Sequence, residues 1–62
     1  MTPEQRRLAE AVRQACLEAA REGYAGAAAS GLCHEGAVEA ALDAVKMLDL
    51  AAIAAAAGKK PG

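Results

Sequence analysis

The chain has 62 residues, enough for one small domain and too few for an enzyme with separate cofactor and substrate domains. Nineteen residues are alanine, one is Tyr, and Phe and Trp are absent, so no aromatic cluster can organise a core or stack on bases. Seven Lys and Arg stand against eight Asp and Glu, a net charge of -1. That balance excludes a general nucleic-acid binder, which needs a basic surface to displace counterions.

The first helix is announced by its cap. Thr2 precedes Pro3 at the first helical position, and Gln5 completes a T-x-x-Q capping box. Leu8, Val12, Ala15, Cys16, Ala19 and Gly23 recur at helical spacing and define an inner stripe. A mixed-charge face lies opposite. The helix is expected over about residues 3–23, or on to 28, because Gly23 or Gly26 can end it and the intervening alanines can carry it further.

Ala29-Ser30-Gly31 reads as the central break, with Ser30 as cap of a second helix over about residues 31–48. Leu32 to Glu35 form a first turn ahead of Gly36, and Glu35, Glu39, Asp43 and Lys46 make one narrow polar stripe. Val38, Ala41, Val45 and Leu48 form an apolar flank, which Ala37, Ala40, Ala44 and Met47 widen well beyond the ~100° that one contact needs. Such a helix calls for neighbours on two sides: the first helix, and most simply a second subunit burying Val38, Val45 and Leu48.

Asp49 then caps a short third helix over about residues 50–57, letting Leu50 and Ile53 turn inward, with Gly58 as its C-terminal cap. The apolar run from Leu50 to Ala57 falls far short of the ~20 residues that span a bilayer. Residues 59–62 (Lys59-Lys60-Pro61-Gly62) read as a flexible tail outside the domain at 1–58. No segment alternates with the period of a strand. Charged residues follow Met1-Thr2-Pro3-Glu4 where a signal peptide has its apolar core, so a cytoplasmic protein with two reduced thiols is expected.

Cys33-His34-Glu35 is the one constellation with chemical potential. Thiolate, imidazole and carboxylate are zinc ligands, and a His-activated Cys is a nucleophile. Adjacent helical residues point about 100° apart, however, and C-x-x-C or H-x-x-x-H spacing is missing. The simpler reading makes Cys33 a packing residue and His34 a half-buried side chain bonded to a backbone carbonyl. Cys16 reads as a small hydrophobe on the inner stripe. A Cys16–Cys33 bridge is disfavoured, because one thiol sits near the turn and the other at least two turns below it. Neither a metal site nor a cofactor is expected.

Leu17 and Tyr24, seven residues apart, interrupt a face otherwise made of Arg6, Glu10, Arg13, Gln14 and Arg21. Something should cover them: either the C-terminal segment, through Leu50 and Ile53, or a protein partner. They are the candidate partner-binding residues.

The segment Gly31-Leu32-Cys33-His34-Glu35-Gly36, followed by Ala37-Val38-Glu39-Ala40-Ala41 and closing on Leu48-Asp49-Leu50, resembles a group of short, uncharacterised bacterial helical-hairpin proteins with a G-L-C-x-E-G turn. The resemblance spans roughly residues 4 to 50. It implies a helical hairpin and brings no activity and no site residue with it. The Ala- and Gly-rich stretch from Gly23 to Ser30 departs from that pattern.

The expected architecture is all-α: an antiparallel hairpin with a short third helix, dimerising into a four-helix-type bundle. The expected function is a non-enzymatic, self-associating interaction or accessory module, without nucleic-acid or membrane partners. The alternatives are a metal- or redox-responsive helper using Cys33 and His34, and a small transcriptional regulator. Against the last, Glu35, Glu39 and Asp43 make the second helix acidic where a DNA-reading helix is basic.

Overall fold

Three helices account for nearly all of residues 1–58, the part of the chain that the computed structural model describes, and no strand occurs among them. The tail expected at 59–62 lies outside the described residues. In chain order they are α1 (Pro3–Ala29), α2 (His34–Lys46) and α3 (Leu50–Ala57). Helix α1 opens on the capping box: the Gln5 amide donates to Thr2 Oγ1 at 3.1 Å, and the Thr2 amide donates to Gln5 Oε1 at 2.9 Å. It then runs through both Gly23 and Gly26.

The turn differs from the sequence expectation in which residue caps which helix. Ser30 closes α1 instead of opening α2. The Leu32 amide reaches back to the Ala27 carbonyl and the Gly31 amide to the Ala28 carbonyl, each at 3.0 Å. This pair of bonds needs a left-handed residue between them, and Gly31 supplies it at φ 93°. Two non-helical residues follow, Leu32 and the extended Cys33, so α2 begins at His34 rather than near residue 31, with Cys33 as its N-cap and no side-chain bond to it. It ends at Lys46, short of Leu48. Leu32 folds over Gly36, where a Cβ would meet its Cδ2 at 3.3 Å, and this clips the chain's entry into α2.

Helices α1 and α2 approach closely and antiparallel because the residues between them are nearly all Gly and Ala. Gly23 sits against the Ala40 carbonyl and the Cα of Ala41, with Ala44 beside them. Ala37 is the one fully buried residue among those described. Asp49 breaks the chain after α2 and caps α3, accepting from the Ala52 amide at 3.0 Å. Helix α3 docks on α1 and makes no contact with α2. Ile53 is half-buried there, whereas Leu50 stays exposed instead of turning inward. Gly58 terminates α3 in right-handed geometry, so its freedom as a glycine is unused.

The result is elongated, 42 × 23 × 15 Å, with α1 as a spine carrying α2 on its second half and α3 on its first. Its radius of gyration is 14.1 Å, where a compact chain of this length has roughly 10.5 Å. Its accessible area of 4841 Å² exceeds the roughly 3700 Å² of a compact 6.2 kDa monomer. No helix among the described residues is long and apolar enough to cross a membrane.

Candidate functional site

Tyr24 and His34 meet across the hairpin. Tyr24 Oη lies 2.8 Å from His34 Nδ1, and the rings pack edge to face with centroids 5.7 Å apart. The hydroxyl donates when Nδ1 is unprotonated. This replaces the backbone-carbonyl partner expected for His34, whose side chain is exposed rather than half-buried. It also gives Tyr24 a neighbour from its own chain that is not the C-terminal segment.

The same contact tells which flanks of the two helices share a side. Leu17 lies two turns before Tyr24 on α1, while Val38 and Leu42 lie one and two turns beyond His34 on α2. Leu17, Tyr24, Val38 and Leu42 thus lie on one side of the hairpin, and they are 44, 37, 38 and 59% exposed. Val38 and Leu42 were not recognised from sequence as companions of Leu17 and Tyr24. Their i,i+4 spacing was the available signal, but its orientation depends on how the hairpin pairs.

Helix α3 does not cover this face. Its C-terminal half flanks a groove with Glu4, Arg7 and Leu8 at the start of α1. Tyr24 lies about 24 Å further along the helix at 1.5 Å per residue. Leu17 is about two and a half turns beyond Leu8, so it points to the opposite side of the cylinder. Leu50 and Ile53 are therefore not the cover that the sequence reading had offered as one of two possibilities. Val45 and Leu48, expected at a subunit boundary, are half-buried within the hairpin itself.

Cys33, His34 and Glu35 do not converge. Nδ1 of His34 is taken up by Tyr24, Cys33 is exposed beside the turn, and no three His, Cys, Asp or Glu side chains cluster to hold a metal ion among the described residues. Cys16 and Cys33 are both free, Cys16 half-buried along α1. The groove at Glu4, Arg7 and Leu8 is shallow, of about 240 Å³, with α3 contributing only Ala54 and Ala57, and Gly58 following them. It brings no nucleophile and base together. No family model, curated protein or solved structure matches the chain.

Proposed function

We propose that this chain is a non-enzymatic helical interaction module that works as a self-associated species, with Leu17 and Tyr24 in its partner-binding surface. The observation that carries the reading is the mismatch between composition and burial. The chain is 55% hydrophobic, yet Leu8, Leu17, Tyr24, Leu32, Val38, Leu42 and Leu50 are all exposed. Large apolar side chains left in water forgo about 1.5–3 kcal/mol each of possible burial. A chain of this size has little stability to spare, so association is the direct way to recover that contribution.

Sedimentation equilibrium tests this. At tens of micromolar, roughly the range of weak dimers, the chain is expected to sediment as a dimer. Its thermal midpoint should rise with protein concentration, as mass action requires. A well-folded monomer whose midpoint does not move with concentration overturns the reading.

A further inference from the structure

We infer that the occupant of the Leu17–Tyr24–Val38–Leu42 face is a second copy of this chain, docked so that α1 of each copy lies antiparallel on α2 of the other. The inference rests on the self-association reading and adds to it a surface and a pairing.

Charge at the two edges of the face argues for this occupant. On α1, Arg13 and Arg21 each lie one turn from Leu17, and Arg6 follows the same flank; the one acid there, Glu10, is bonded to Arg13 at 2.9 Å. On α2, Glu35 and Glu39 lie three residues before Val38 and Leu42, and Lys46 is that helix's single cation. The α1 half is therefore basic and the α2 half acidic. A face whose halves complement each other suits a twofold contact with itself.

Two twofold arrangements bring such hairpins face to face. An axis perpendicular to the helices sets α1 on α1 and α2 on α2, placing arginine opposite arginine and glutamate opposite glutamate. An axis parallel to the helices sets α1 on α2 and keeps each residue's level along the hairpin; with Gly23 beside Ala40 and Ala41, Arg21 comes within a turn of Glu39 and Asp43 of the other copy, while Arg13 lies two turns further toward the start of α1. Charge selects the second, which closes a four-helix bundle. The molecule as a whole has area to cover: its accessible 4841 Å² exceeds that of a compact chain by about 1100 Å², spread over all three helices, where each side of a stable interface contributes about 800 Å².

Charge reversal in the full chain distinguishes the arrangements. One variant carries Arg21→Glu, the other Glu39→Lys; both positions are exposed, and circular dichroism verifies that the helices persist. Native mass spectrometry and sedimentation then read each variant alone and the two mixed in equal amounts. With α1 on α2, each variant alone opposes like charges and should dimerise at least tenfold more weakly than the unaltered chain. The mixture should restore a heterodimer in preference to either homodimer. If each variant alone dimerises as tightly as the unaltered chain, this face and pairing are wrong while self-association stands. If the variants are monomeric and the mixture stays so, the α1-on-α2 pairing is wrong. A monomeric unaltered chain overturns the second-copy proposal and the self-association reading together, and leaves the face to another protein.

Discussion

A methyl group added at Gly23 would meet the Ala40 carbonyl oxygen at 2.9 Å, the Ala44 Cβ at 3.0 Å and the Ala41 Cα at 3.1 Å. Two of those atoms are backbone, so relief requires α1 and α2 to separate. At Gly26 the same methyl would meet nothing within 4 Å. Helix propensity favours alanine over glycine by up to about 1 kcal/mol at both sites. Overpacking, which costs about 1–3 kcal/mol, opposes it at Gly23 alone. Gly23→Ala is therefore expected to lower stability by up to about 2 kcal/mol, and Gly26→Ala to raise it by about 0.5–1 kcal/mol. Urea unfolding at one fixed protein concentration measures both. Equal gains at the two sites would show that α2 does not press on Gly23.

Each of the shorter helices depends on its first residue, and the two caps are unequally made. Asp49 accepts from the Ala52 amide, and α3 has eight residues, too few to hold together without its dock on α1. Asp49→Ala is expected to cost about 1 kcal/mol, visible as faster hydrogen exchange confined to α3. Cys33 has the extended backbone of a cap, φ -70° and ψ 171°, but makes no capping bond. A hydroxyl there can accept from the amides of Glu35 or Gly36, so Cys33→Ser is expected to stabilise α2 by about 0.5–1 kcal/mol. An unchanged urea midpoint for Cys33→Ser would mean that water already serves those amides as well.

Signals contained within four residues were legible in the sequence. Thr2 with Gln5, and Asp49 before an apolar run, each identify a helix start without knowledge of the rest of the chain. The central turn was legible only as a turn. Ser30 is a good cap in principle, and it lost that role because Gly31 takes the left-handed conformation that ends α1 and leaves two non-helical residues before α2. Leu17 and Tyr24 stood out because they break a charged face, which is local information. Their surroundings did not follow from it. The Tyr24–His34 bond joins residues ten apart across the turn, and the exclusion of α3 from that face depends on where α3 docks.

At the scale of the whole molecule, α1 serves two clients that do not touch each other. Helix α2 covers its second half and shares the apolar face with it. Helix α3 lies near its N-terminal end, on the side that Leu8 occupies. The dock of α3 and the proposed association surface are thereby separable in space. Removing residues 50–62 deletes α3 and uncovers the Leu8 side, where Ala54 and Ala57 now line the groove. The expected loss is about 2 kcal/mol, the scale of burying one large apolar side chain, with faster amide exchange in the first three turns of α1. The Leu17–Tyr24–Val38–Leu42 face is left intact, so the shortened chain should still dimerise at concentrations where it is folded. Sedimentation of the shortened chain beside the full one, each matched to its own hydrogen-exchange profile, checks both halves of the expectation. A shortened chain that keeps its α1–α2 helicity but becomes monomeric would place α3 in the subunit contact, on the side of α1 away from Leu17 and Tyr24.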